Sequence, residues 1–141
     1  MSPARFLLDT SALVRLLRDQ AVRGRWEQQI TAGLVAVCAL VELELLYTAR
    51  SAARRAELQE LIAGAFALVP MPDRVFARAA DIQGMLTQQG QHRSAGAVDL
   101  LVAAAAELNS LTLVHYDRDF EQIARATGQS VVWLAPAGSI N

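Results

Sequence analysis

Lysine is absent from this chain, whose 13 basic residues are all arginine. The absence excludes any mechanism that needs a lysine, including that of the phosphoacceptor signalling domains, which also gather acids at strand ends. Arginine suits planar, two-pronged contact with phosphate or carboxylate, although a GC-rich coding bias accounts for the replacement equally well. Cysteine occurs once, at Cys38, which rules out an internal disulfide framework and a cysteine-based zinc site; among small apolar neighbours it reads as core. Charges cut every apolar run below the roughly 18 residues of a membrane span. The opening "MSPARFLLDTSALVRLL" carries an acid inside its apolar stretch and lacks a secretory layout, so the expected location is cytoplasmic. A glycine-rich phosphate loop, a nucleophile elbow and a persuasive Cys and His pair are also missing. Aromatic residues make up only 6%, and Trp26 and Trp133 read as core. Repeats, low-complexity tracts and linkers are missing too, so residues 1–141 are expected to form a single domain.

What is there is strongly apolar: 53% hydrophobic residues against 19% charged, enough to bury a substantial core. The net charge of −1 argues against wholesale electrostatic binding of nucleic acid but leaves room for a local patch. Short apolar runs at 5–8 ("RFLL"), 34–37 ("LVAV"), 66–69 ("FALV"), 111–114 ("LTLV") and 131–134 ("VVWL") predict five buried strands. Helical patterns lie between them at 39–49, 54–65, 73–89 and 97–109, with a shorter one at 120–126. The alternation predicts an α/β fold with a mainly parallel central sheet flanked by helices.

Such sheets place ligands outside the carboxyl ends of their strands, and there the acids become informative. Asp9 directly follows the first strand and Asp117 follows "LTLVHY". Two more acids come from helices: Glu42 or Glu44 in "CALVELELLYTAR", and Asp99 at the start of "GAVDLLVAAAAEL". Each has an ordinary structural explanation as a helix cap, a dipole partner or a turn former. Jointly, four of 14 acids fall on elements that a parallel sheet brings together. Crowded carboxylates raise one another's pKa, a cost that a divalent cation removes. All-oxygen ligation favours Mg²⁺ or Mn²⁺, and neither histidine has partners for a zinc site. Glu42 and Glu44 point about 200° apart around a helix, so only one can enter the cluster. Periodicity does not choose between them.

In order and spacing, "FLLDTSALVRLL", "CALVELELLYTAR", "HRSAGAVDLLVAAAAE" and "LVHYDRDFEQIA" resemble the PIN-domain nucleases, specifically the VapC-type toxins of toxin-antitoxin modules. The resemblance covers nearly the whole chain. It implies a three-layer PIN-like fold, Mg²⁺- or Mn²⁺-dependent endoribonuclease activity on structured RNA such as tRNA or rRNA, a homodimer, and a cognate VapB-type antitoxin. Carried over residue by residue, it implies Asp9, Glu44, Asp99 and Asp117 as catalytic metal ligands. Asp119 follows as an outer member, Thr10 as a hydroxyl neighbour of the first acid, and Glu42 as the alternative ligand.

RNA needs cations near those acids. Arg15, His92 and Arg93 are the candidates, Arg93 foremost because the resemblance extends over "HRS". An antitoxin of this kind docks an amphipathic segment into an apolar groove; the alanine- and leucine-rich helices at 39–65 fit the lining of such a groove, a dimer contact or plain core equally well. Two other functions fit the same acids: an RNA-processing PIN nuclease without a toxin role, and a non-catalytic module in which the acids only seat an ion.

Overall fold

The computed structural model describes residues 3–141, and among these five strands and seven helices alternate. Strand β1 (Phe6–Leu8) leads into α1 (Thr10–Arg18) and α2 (Gln20–Thr31), and β2 (Val35–Cys38) into α3 (Ala39–Tyr47) and α4 (Ala52–Ala65). Then follow β3 (Ala67–Val69), α5 (Val75–Gln88), α6 (Ala97–Leu108), β4 (Thr112–His115), α7 (Asp119–Thr127) and β5 (Val131–Trp133). All four strand pairings are parallel, in the order β3-β2-β1-β4-β5. With right-handed crossovers, the leftward steps from β1 to β3 put α1–α4 on one face. The return to β4 and β5 puts α5–α7 on the other. The result is the expected α/β sandwich of helices around a parallel sheet.

The strands are only three or four residues long, and apart from Thr112 and His115 their side chains are apolar. Leu7, Leu8, Ala36, Leu113 and Val114 are fully buried. Burying a leucine completely contributes about 2 kcal/mol, so a three-residue strand is held by its neighbours more than by its own ladder. Helix α6 presses closely on this layer because Ala103, Ala104, Ala105 and Ala106 bring little bulk between backbones.

Most elements differ by a residue or two from the ranges read in the sequence, and three differences have a local cause. Helix α2 has no pattern to announce it, because Val22 is its only fully buried residue; Asp19 starts it by accepting the Val22 N–H. Helix α4 begins at Ala52 rather than 54, since Ser51 caps it through the Arg54 N–H at 3.0 Å. Helix α5 begins at Val75 rather than 73, after a turn in which the Val75 N–H donates to the Pro72 carbonyl.

The order of the sheet fixes where a site can form. Connections leave β1 in one direction and enter β4 from the other, so the crevice between these adjacent strands is the topological switch point. Helix α1 starts at that end of β1. Helix α6 precedes β4 and runs opposite to it, which brings the α6 N-terminus to the same end.

Candidate active site

Asp9 follows β1 directly, and its own N–H extends the β1–β4 pairing by donating to the Val114 carbonyl at 3.0 Å. Its side chain caps α1 by accepting the Ala12 N–H at 2.9 Å. The capping explanation and the cluster explanation are therefore both true of this residue. Only 3% of Asp9 is exposed. That burial, with the charge of Asp99 added, raises its pKa to about 6 despite hydrogen bonds from Ala12 and Ser11 that oppose the rise.

Asp99 lies in the first turn of α6. Its pKa is also pushed up to about 6, first by burial and then by the negative charges of Asp117, Asp119 and Glu44, against a contact with the Gly96 backbone that lowers it. Asp117 reaches Asp99 from the turn between β4 and α7, and Asp119 from the first residue of α7. One carboxylate oxygen from each of these three residues lies within 4.8 Å of the others. The turn is shaped locally: the Asp119 N–H donates to Asp117 Oδ1 at 2.9 Å, an Asx-type turn. Asp119, expected as an outer member, thus belongs to the tightest group. Burial and then the charge of Asp117 raise its pKa as well.

Glu44 and Glu42 part company on α3. Glu44 accepts a short hydrogen bond from the Thr10 hydroxyl and is close enough for its charge to act on Asp99. Glu42 faces a different cleft, with Val37, Ile62, Phe66 and Leu68. Of the five acids Asp9, Glu44, Asp99, Asp117 and Asp119, the last three form the close group and the first two are coupled to Asp99 by charge, whereas Glu42 is not.

Of the three basic candidates, Arg15 is occupied in scaffolding. Its Nη1 donates to the Ser11 carbonyl at 3.0 Å and its guanidinium lies 4.8 Å from the Tyr116 ring centroid. His92 and Arg93 are exposed in the loop between α5 and α6. Among the described residues, no arginine or histidine forms an ion pair with any of the five acids; the ion pairs there join Arg54 to Glu57, Arg78 to Glu107 and Arg125 to Glu121.

Sequence reasoning passed over two residues that organise the site. The Ser11 hydroxyl donates to the Asp9 carboxylate, 2.7 and 2.9 Å from its two oxygens, and accepts the Tyr116 N–H at 2.9 Å. It thereby ties the first acid to the β4 end that carries the fourth. The signal was the hydroxyl pair in "DTS", of which only Thr10 was singled out; the partner at Tyr116 is 105 positions away. The second is His115, fully buried at the end of β4, with its pKa lowered by burial against the pull of Glu121 and Asp117.

Carboxylates held this close without basic partners leave negative charge uncompensated. Their oxygens form a hard, all-oxygen donor set that fits a divalent cation of the Mg²⁺ or Mn²⁺ type. Known proteins are similar to this chain along most of its length. A model of the PIN domain family matches residues 6–126, from β1 into α7. Ribonuclease VapC21 of Mycobacterium tuberculosis is 42% identical over 135 residues, covering 96% of this chain and 97% of that protein. Ribonuclease VapC51 of the same organism is 41% identical over 139 residues, covering 97% and 98%. In fold, the chain superposes on VapBC from Salmonella typhimurium, solved bound to DNA, with a TM-score of 0.78 at 19% identity, covering 94% of this chain and 99% of that one. VapBC2 from Rickettsia felis, solved with a promoter DNA fragment, gives 0.76 at 16% identity, covering 91% and 97%. The family model and the full-length relatives together establish that this chain belongs to the PIN-domain family, alongside the VapC ribonucleases.

Proposed function

We propose that the chain is the ribonuclease toxin of a VapBC-type toxin-antitoxin module, hydrolysing a phosphodiester bond of a structured RNA, either tRNA or rRNA. The observation that carries this reading is the group of carboxylates without basic partners at the β1/β4 switch point, in a chain 42% identical to ribonuclease VapC21 along nearly its full length. Asp9, Glu44, Asp99 and Asp117 act as catalytic ligands for Mg²⁺ or Mn²⁺, with Asp119 beside them. When bound, the cation supplies charge neutralisation at a phosphate oxygen and a lower pKa for an attacking water.

The remaining work falls to the chain itself. Thr10 orients Glu44, and Ser11 orients Asp9. Arg93, helped by His92, contacts RNA phosphates from the exposed loop, while Arg15 supports the site from behind through Ser11 and Tyr116. Residues 1–141 act as one nuclease unit in the cytoplasm; no helix of the described residues is long and apolar enough to cross a membrane.

The VapB-type antitoxin binds the cleft of about 450 Å³ among α1, α3 and α4, whose floor includes Leu17, Leu45 and Leu58 and whose rim includes Arg18, Arg50 and Arg54. An amphipathic segment suits such a surface. The exposed Leu43 and Tyr47 on α3, 60% and 90% accessible, are offered to a second copy of the chain in a homodimer.

Induced expression in a bacterial host tests the reading. Growth should arrest, should recover on co-expression of the small protein encoded next to this gene, and should be unaffected by the Asp117→Asn variant. Unimpeded growth while the folded wild-type chain accumulates would contradict it.

A further inference from the structure

His115 is, with Asp9, one of two polar or charged residues fully buried among those described. The family's acids do not account for it. Its ring lies against Phe120 and Trp133, with centroids 5.3 and 4.8 Å away, so its orientation is fixed by packing. Its carbonyl accepts the Leu134 N–H and closes the last rung between β4 and β5. Beyond that rung the chain leaves the sheet, and the Asp117 N–H has no strand to pair with. It donates instead to His115 Nδ1 at 3.2 Å. Asp117 Oδ1 then takes the Asp119 N–H, so two consecutive side chain to backbone contacts fold the turn that delivers both carboxylates to Asp99.

An imidazole that accepts at Nδ1 carries its proton on Nε2, and Nε2 has no hydrogen-bond partner here. The second nitrogen therefore does not hold the ring; the Asp117 N–H and the two aromatic neighbours do.

We propose that His115 is a positioning residue for the metal-binding turn, acting as a neutral acceptor that sets the backbone of Asp117 and, through it, the placement of the Asp117 and Asp119 carboxylates. The inference rests on the cation reading above in its consequence for metal affinity, and stands apart from it in its consequence for the turn. Groups that orient metal ligands without touching the metal change affinity by about 10- to 100-fold when removed.

Two substitutions separate an acceptor role from ring packing. His115→Phe keeps an aromatic ring and removes the acceptor. His115→Asn loses the ring and keeps an acceptor able to reach the N–H two residues on, as in an Asx turn. We expect His115→Phe to lose about tenfold or more in Mn²⁺ affinity, measured by calorimetry on the full chain, and His115→Asn to recover most of that loss even if its melting temperature is lower. The ¹⁵N spectrum of the wild-type imidazole should show Nδ1 unprotonated, and the amide shifts of Asp117 to Phe120 should move in the Phe variant and return towards wild type in the Asn variant. A protonated Nδ1, or unchanged amide shifts and Mn²⁺ affinity in His115→Phe, would overturn the proposal. If Mn²⁺ fails to bind the wild-type chain, the cation reading fails, while the imidazole spectrum and amide shifts still decide whether His115 sets the turn.

Discussion

Replacing Asp99 by asparagine should make the metal-free protein more stable, although it removes a residue assigned to the chemistry. Asp99 stands where burial and three neighbouring carboxylates oppose its charge, and its pKa rises from 3.8 to about 6. At about 1.36 kcal/mol per pH unit, that rise corresponds to about 3 kcal/mol before solvent screening. Asp99 is partly open to water, which reduces the expected effect to about 1–2 kcal/mol. A charge in the first turn of α6 also gains about 0.5 kcal/mol from the helix dipole, too little to reverse the sign. The folded chain binds the proton more tightly than the unfolded chain, so stability is greatest when Asp99 is protonated, falls as pH rises from about 4 to about 6, and is level above that. In EDTA at pH 7.5, Asp99→Asn should therefore melt about 3–6 °C above wild type, and at pH 4 the difference should close. Adding Mn²⁺ at pH 7.5 should reverse the order, because the cation stabilises only the chain that binds it. Differential scanning fluorimetry in the three conditions measures all of this. A variant that melts at or below wild type in EDTA at pH 7.5 would refute the claim that Asp99 is held against its own electrostatics.

The two glutamates of α3 should separate cleanly: Glu44→Gln should reduce metal-dependent RNA cleavage by about 100-fold or more, while Glu42→Gln should leave the rate within about twofold. Steady-state cleavage rates decide, and the reverse pattern would move the ligand to Glu42. Arg93→Ala should weaken RNA binding and lower the slope of log affinity against log salt by about one, read by fluorescence anisotropy at several salt concentrations. Arg50→Glu should cost antitoxin binding about tenfold by reversing an exposed charge on the rim of the α1/α3/α4 cleft, with RNA cleavage by the free chain unchanged; equal antitoxin affinity would move the docking surface elsewhere. Arg78→Ala should destabilise the fold by about 1–2 kcal/mol in urea unfolding, because it breaks the two-pronged, half-buried pairing of α5 with Glu107 on α6.

The sequence made the alternation of strands and helices legible because each strand contains a short apolar run and most boundaries carry a turn or a cap. It also made Asp9, Asp99 and Asp117 legible, since their places follow from where a parallel sheet puts strand ends and the starts of preceding helices. Other features depended on contacts between distant positions. Helix α2 buries too little for a stripe to show. The choice between Glu44 and Glu42 turned on a hydroxyl 34 positions away at Thr10, and the role of Ser11 on a backbone amide beyond β4. The closeness of Asp119 to Asp99 was not legible because acids two apart at a strand-to-helix junction have no fixed relative direction until the Asx turn at Asp117 supplies one. His115 fell just beyond the strand read at 111–114, and nothing local tells a buried histidine that accepts a backbone N–H from one that faces solvent.

If these carboxylates make the chain a cation-dependent ribonuclease, RNA cleavage must require both the cation and the acids. The most direct test is to incubate purified, antitoxin-free protein with end-labelled tRNA and rRNA in Mg²⁺, Mn²⁺ or EDTA, beside an Asp9→Asn control. Discrete cleavage that needs the cation and vanishes in the variant is the predicted result. Intact RNA in the presence of folded, cation-loaded wild-type protein, or cleavage that persists in EDTA or in the variant, would contradict it.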